Sequence, residues 1–405
     1  MLKSKCLDLA LFGGKPVFDK PLGTSGLAKP NFDEFIKYSE LFLSVNRYSN
    51  AGPCNNLLEE RLAEFHGSNF CITFASGFWA LVASIKYYAL PRKTVALVPS
   101  FTYRRMADAV SWAGLKPKFC DVCNTNLGIN AEIIAKEVDD DTAVIIAPHP
   151  VIRCLDVAGI SVAGEDVEIP VVFDAVESVM DTVKGQKIGS FDNVEVFSLH
   201  ASKMLNGAEG GYITTNCHEA ARHFKLIRAF GLEGEDRIAL AEGYNAKLNE
   251  MHAALALANL DNISEFHDHN QQIYEAYKQK LLGNPNLELH QYVDHENPGY
   301  KNILIKVIGD NSGISRDLLE KILNAENILA RAYYSPPLHK REMEYEFQLG
   351  HLSVTEVVAD QFLLLPSGYQ CSVSAVEKIC KLLDEIFHLE FEILQKFGSG
   401  DENEA

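Results

Sequence analysis

Seven short apolar runs punctuate the first half of the chain: FCITFA (70–75), VALVPS (95–100), PKFCDV (117–122), AVIIAPH (143–149), PVVFDAV (170–176), VEVFSL (194–199) and GYITT (211–215). They are nearly continuous in apolar residues rather than alternating, as strands covered on both faces are. Between several of them lie stretches with helical spacing, such as FWALVASIKYYAL (78–90) and RRMADAVSWAG (104–114). Strands alternating with helices predict an α/β fold whose large, mostly parallel sheet is layered with helices. Near residue 245 the texture changes. Residues 245–282 carry one long helical pattern. The strand-like KNILIKVIG (301–309), a helix over 315–328 and a closing helix over 374–397 follow. The pattern therefore predicts an arm and large domain over 1–262, a smaller α+β domain over 263–396, and a polar, disordered tail over 397–405. No internal repeat is evident.

Composition narrows the function. A chain of 405 residues is long enough for two domains with a sizeable core. Its formal net charge of −18 argues against a nucleic-acid binder, while leaving room for a locally positive pocket. No apolar run is long enough to cross a bilayer, and the start of the chain lacks the features of a signal peptide. Nine cysteines, an odd number scattered through apolar runs, fit reduced thiols and a cytoplasmic location. Cys120 and Cys123 have metal-ligand spacing but no second pair, so no metal site is expected. LFGGKP (11–16) lacks the full pattern of a phosphate loop.

In open α/β sheets the chemistry gathers beyond the carboxyl ends of the strands. The residues just past the apolar runs are Ser76 and Gly77, Ser100 to Tyr103, His149, Asp174 to Glu177, and Ser198 to Lys203. Singly, each has an ordinary structural explanation: an aspartate after a strand most often caps a turn, and a lysine in a turn is most often solvated. Together they supply a phosphate cradle at a helix N-terminus, an aromatic plate, an acid and an amine. Pyridoxal phosphate needs those four parts.

Longer stretches carry a resemblance. LFGGKPVFDKPL (11–22), RYSNAGPCNNLLEERLAEFHG (47–67), VPSFTY (98–103), FDAVES (173–178), FSLHASKMLNGAEGG (197–211), EGYNAKLNEMHAALALANL (242–260), RAYYSPPLHK (331–340) and LLLPSG (363–368) resemble the DegT/DnrJ/StrS nucleotide-sugar aminotransferases. That family has the type I, aspartate-aminotransferase-like fold. The opening segment and RAYYSPPLHK are most similar to the members that aminate C4 of dTDP-4-keto-6-deoxyglucose in unusual-sugar and O-antigen biosynthesis, with L-glutamate as donor and 2-oxoglutarate as product.

The resemblance implies roles residue by residue. Lys203 matches the lysine that holds the cofactor and moves a proton between cofactor and substrate. Asp174 matches the partner of the pyridine nitrogen, and Tyr103 the aromatic stacked on the ring. Gly77, Phe78 and Ser198 fall at the phosphate. Asn245 matches an asparagine that reaches the cofactor of the other subunit, so a homodimer is implied. His149, Lys247, Arg331 and His339 are the expected substrate contacts. Arg104, Arg105 and Arg153 join Lys247 and Arg331 as cations suited to a diphosphate or a donor carboxylate.

Departures from the family pattern cluster in the pocket. Phe78 and Trp79 stand where a small hydroxyl-bearing pair is usual. HPVIR (149–153) keeps the family's histidine but not its glycine, and Arg104 and Arg105 replace small or apolar residues. Glu177 occupies the place of a histidine or glutamine beside the cofactor ring, where its pKa should rise unless a cation pairs with it. Two other readings follow from these changes. One is a related sugar dehydratase, against which Lys203 stands, because those enzymes typically carry histidine there. The other is a non-catalytic relative with a binding or regulatory role.

Overall fold

The computed structural model describes residues 2–25, 28–234, 237–293, 296–309 and 313–398. The apolar runs become strands β1 (Phe70–Phe74), β2 (Val95–Pro99), β3 (Lys116–Cys120), β4 (Thr142–Pro148), β5 (Val171–Asp174), β6 (Val194–Ser198) and β7 (Gly211–Thr215). They lie in one eight-stranded sheet in the order β3-β2-β4-β5-β6-β7-β1, with the short strand Gln348–Leu349 added outside β3. All pairings are parallel except those of β7, which runs against both β6 and β1. The buried side chains of β2, β4, β5 and β6 point into two cores, one on each face, which explains why these runs do not alternate.

Local signals set the helices. Helix α1 (Phe32–Ser44) is capped by the side chain of Asn31. Helix α2 (Pro53–His66) has proline in its first turn and stops at Gly67, whose φ of +78° suits glycine. Helix α3 (Gly77–Tyr88) starts at Ser76, whose hydroxyl accepts from the Trp79 N–H at 3.3 Å. Gly77 favours a close approach, since a Cβ there would lie 3.2 Å from the Phe197 carbonyl and the Ser198 Cβ and press both outward by a few tenths of an ångström. The first turn of α3 can therefore sit directly against the end of β6.

The expected single helix over 245–282 is two helices, α4 (Glu250–Asp261) and α5 (Ile263–Leu281). They break at Asn262, whose φ of −107° and ψ of 11° leave the helical region. Apolar spacing continues across the break because both helices bury a face, so periodicity alone does not reveal it. After α5 comes a four-stranded antiparallel sheet of β8 (Leu287–Leu289), β9 (Ile303–Val307), β10 (Arg331–Ala332) and β11 (Phe362–Leu365), in the order β8-β9-β11-β10. Helices α6 (Arg316–Ala325) and α7 (Val373–His388) pack their buried faces into its core.

Two chain segments depart from the expected division. The N-terminal arm packs on the smaller sheet's domain rather than on the large one. The backbone of Leu2 and Lys3 donates to Glu385, Lys3 pairs with buried Glu326 at 3.0 Å, and Leu22–Gly23 pairs in parallel with Ile328–Leu329. At the other end, helix α8 (Glu390–Gly398) includes the first two residues assigned to the tail, with Phe397 against the small-domain core. The remaining tail, 399–405, lies outside the described residues. Among the described residues no helix is long and apolar enough to cross a membrane.

One carboxylate ties α2 to α4. Glu250, fully buried, accepts from the N–H groups of Gly52, Cys54 and Asn55 at 2.9, 2.7 and 3.4 Å. It thus caps a helix distant in sequence and faces the positive end of its dipole. Replacing it by alanine leaves those donors buried and unpaired. Glu250→Ala is expected to lower unfolding stability by about 2 kcal/mol, read from denaturant midpoints at unchanged m-value.

Candidate active site

The carboxyl ends of β2, β4, β5 and β6, together with that of β1, open on the same edge of the sheet. Asp174 is the last residue of β5, and Ser198 the last of β6. Beyond β6 the chain folds on itself through the Leu199 N–H to Gly210 and the Ala201 N–H to Ala208, at 2.9 and 2.8 Å. This closed turn holds Lys203 back over the end of β5. Ser198 lies against the N-terminus of α3, so its hydroxyl and the helix's first N–H groups share one corner.

Asp174 is buried and accepts the Val176 N–H at 3.1 Å. No cation contacts its carboxylate among the described residues. Burial pushes its pKa up to about 6, although the Val176 N–H and the charge of Lys203 oppose the rise. Glu177 is opposite in character. Burial would raise it as well, but Lys203 and Lys301 hold it down at about 2. The Lys203 ammonium hydrogen-bonds Glu177 Oε1, and Lys301 Nζ lies 2.8 Å from Glu177 Oε2. Two ammonium groups pair with Glu177, which is the condition under which its pKa was not expected to rise.

Lys301, just before β9, was not singled out in the sequence. A lysine before an apolar run carries no spacing signal, and only the fold brings it to Glu177. Tyr334 was also missed, although its segment was noticed. It stacks on Tyr333 with ring centroids 4.1 Å apart, and the charges of Glu177 and Asp174 act on its hydroxyl.

The other expected site residues divide. Tyr103 is half exposed, four residues beyond the end of β2. Phe78 and Trp79 begin an edge-on aromatic cluster that continues to Trp112 and Tyr244, with centroids 5.1–5.6 Å apart. Asn245 is exposed next to this cluster, bridging by backbone to Ala229. Arg331 is exposed, and its charge is felt at Lys301.

His149 and His339 are both largely buried. The His149 ring stacks on Phe173, accepts the Leu155 N–H at 3.1 Å, and is 7 % exposed. Burial drops its pKa to about 3, so it is a neutral core ring. His339 meets the Ser100 hydroxyl through Nδ1 at 2.7 Å, and its own N–H donates to that hydroxyl at 3.1 Å. It fastens the 331–341 segment to the end of β2. The cations also scatter. Arg153 binds the carbonyls of Gln291 and Thr125, Arg105 pairs with Asp108, and Lys247 lies 4.4 Å over the Phe230 ring in a cleft with Lys225 and Arg228. Arg104 instead joins Lys340 and Arg341, lining a cleft of about 600 Å³.

The arrangement suits pyridoxal phosphate. A buried carboxylate without a cation of its own complements a protonated ring nitrogen, and the glycine-cleared helix start beside Ser198 complements a phosphate. The Lys203 amine reaches the same edge of the sheet, at Glu177 Oε1. These features define the class of pyridoxal-phosphate enzymes in which a lysine after one strand faces an acid at the end of the next. The chain belongs to the DegT/DnrJ/EryC1/StrS aminotransferase family, whose model matches residues 32–384. Members of this family are pyridoxal-phosphate-dependent nucleotide-sugar aminotransferases. It is 26 % identical over 378 residues to dTDP-4-amino-4,6-dideoxy-D-glucose transaminase of Shigella dysenteriae, covering 91 % of this chain and 100 % of that protein. It is 25 % identical over 338 residues to UDP-N-acetyl-3-dehydro-alpha-D-glucosamine 3-aminotransferase of Acidithiobacillus ferrooxidans, covering 83 % of this chain and 89 % of that one. Among solved structures, DesI in the presence of its TDP-sugar product superposes with a TM-score of 0.89 at 26 % identity, covering 96 % of this chain and 99 % of that chain.

The burial of Asp174 has a measurable sign. Its folded pKa is raised, so below the unfolded value both states hold the proton and nothing is lost. As pH rises the unfolded chain ionises first, and folding is penalised increasingly until Asp174 itself ionises near 6. Asp174→Asn removes this penalty while keeping the acceptor for Val176. The cofactor-free variant is expected to be more stable than the unaltered chain by on the order of 1–3 kcal/mol at about pH 8, and equally stable at about pH 3. Thermal unfolding at the two pH values checks it.

Proposed function

We propose that this protein transfers an amino group from L-glutamate to C4 of dTDP-4-keto-6-deoxyglucose, releasing 2-oxoglutarate, in the making of an unusual sugar for O-antigen. The observation that carries the reading is the convergence of Lys203, Asp174 and Glu177 at one edge of the large sheet. The activity for which the Shigella relative is named supports the choice of sugar.

When bound, pyridoxal phosphate supplies an aldehyde carbon and an electron-withdrawing ring, through which an amino nitrogen passes from one carbonyl compound to another. Lys203 would hold the cofactor through Nζ and would carry a proton to or from the reacting carbon. Asp174 keeps a proton on the ring nitrogen, its own charge being costly in that pocket unless a cation faces it. Tyr103 covers the ring. Gly77 and Phe78 offer backbone N–H groups, and Ser198 a hydroxyl, to the phosphate. In a homodimer, Asn245 of the partner subunit would complete the phosphate's ligands. Arg331, exposed and electrostatically coupled to Lys301, would pair with an anionic group of the substrate, as would Lys247 in its cleft with Lys225 and Arg228.

The Acidithiobacillus relative favours a second acceptor, a UDP-linked 3-keto sugar. A panel of dTDP-, UDP- and GDP-linked keto sugars, with 2-oxoglutarate release as readout, separates the two. The 4-keto-6-deoxy sugar is expected to give the highest kcat/KM. Amination of a 3-keto sugar alone would replace the acceptor but keep the chemistry. Lys203→Ala is expected to abolish turnover, and borohydride reduction of the unaltered protein to label Lys203.

The partner's role of Asn245 is checked by mixing subunits. Lys203→Ala protein combined with an Asn245→Ala protein is expected to regain part of the lost activity, because one hybrid site holds both groups. No gain, with subunit exchange shown separately, would place both residues in the same site.

A further inference from the structure

Glu177 stands between two ammonium groups, of which only Lys203 has a reaction to perform. Lys203 engages Oε1, and Lys301 engages Oε2 at 2.8 Å, with Asn302 Nδ2 reaching the same oxygen at 3.5 Å. The three charged side chains are 17, 17 and 11 % exposed, so each depends on the others more than on water. Lys301 is held in place by its surroundings. The Gly299 N–H donates to Asp181 Oδ1 at 2.6 Å, and Asn302 exchanges backbone hydrogen bonds with the Tyr292 hydroxyl at 3.0 and 3.1 Å.

An ammonium cannot attack a carbonyl. Lys203 must first release a proton. Its nitrogen then bonds the aldehyde carbon, and the aldehyde oxygen leaves as water with the amine's remaining two protons. If Lys203 were the sole partner of Glu177, each such step would strand a buried carboxylate. Two ammonium groups on one carboxylate avoid this. The cluster carries one net positive charge with Lys203 protonated and none with Lys203 neutral. We propose that Lys301 is a positioning residue that keeps Glu177 paired whenever Lys203 is neutral, so that Lys203 can give up its proton without orphaning that carboxylate. The inference rests on the reading that Lys203 is the lysine that bonds the cofactor.

Other groups near the cluster do not take this role. The acids facing it, Asp174 and Asp181, are both buried and pushed toward their neutral forms. Tyr292, Tyr333 and Tyr334 are raised by burial and stay neutral. Arg331 acts on Lys301 through space, without contacting Glu177 among the described residues.

The test is the rate at which cofactor-free protein bonds added pyridoxal phosphate, trapped with borohydride and mapped by peptide, between about pH 6 and pH 9. Lys301→Met is expected to slow trapping on Lys203 at least about tenfold near pH 7.5 and to move the midpoint of the rate toward alkali. Lys301→Arg keeps the charge and should stay within about threefold of the unaltered chain. Glu177→Gln removes the carboxylate to be orphaned, so its midpoint should move toward acid. Combining it with Lys301→Met should recover most of the lost rate. An unchanged rate and midpoint in Lys301→Met would overturn the proposal. So would an alkaline shift in Glu177→Gln, which keeps the test decisive should Lys301→Met not fold. Labelling of a different lysine in the unaltered protein would instead remove the reading of Lys203, a result separate from these.

Discussion

A carboxylate buried without a cation of its own is the constraint around which this molecule is arranged. Asp174 lies at the end of a central strand, where the sheet excludes water from both faces. Such a group is unfavourable until something positive meets it. The fold holds it in a strand paired on both sides and flanked by buried apolar clusters on both faces. The stability given up at Asp174 is what makes the position selective for a positively charged ring nitrogen. Three residues further on, the chain solves the same problem differently, giving Glu177 two ammonium partners. One corner of one loop thus holds an acid left expectant and an acid already satisfied.

The large sheet was legible because its strands are buried on both faces. A run such as AVIIAP has few conformations that hide every side chain, and a central parallel strand is one. Asp174, Ser198 and Lys203 were legible for a related reason, since polar residues immediately after such runs emerge at the same edge. The break at Asn262 was not, because α4 and α5 bury faces whose apolar spacing runs on across it. The arm's allegiance was not, because it depends on contacts with residues more than 300 positions away, such as those of Lys3 with Glu326 and Glu385. Lys301 and Arg341 are similar cases: each is an ordinary charged residue until the smaller domain is docked. His149 and His339 show burial that the sequence did not announce. Their type and place suggested chemistry, and burial made one a core ring and the other a fastener.

The two domains are stitched in both directions. The first residues of the chain clasp the smaller sheet's domain, and Gln348–Leu349, from the far end, extends the edge of the larger sheet. Glu177 and Lys301 form a third stitch, at the site itself. Movement of the smaller domain relative to the larger therefore bears directly on a charged contact of the candidate cofactor lysine.

The aromatic cluster at the start of α3 has an optical consequence. The chain has two tryptophans, Trp79 and Trp112, and their rings meet edge to face 5.2 Å apart. All of the protein's indole emission therefore originates at one spot, where Trp79 in the first turn of the helix facing the phosphate corner meets Trp112 at the end of the helix Met106–Trp112. A pyridoxal chromophore seated there would lie close enough to both to accept their excitation, so intrinsic fluorescence becomes a gauge of how many sites are filled, without any attached dye.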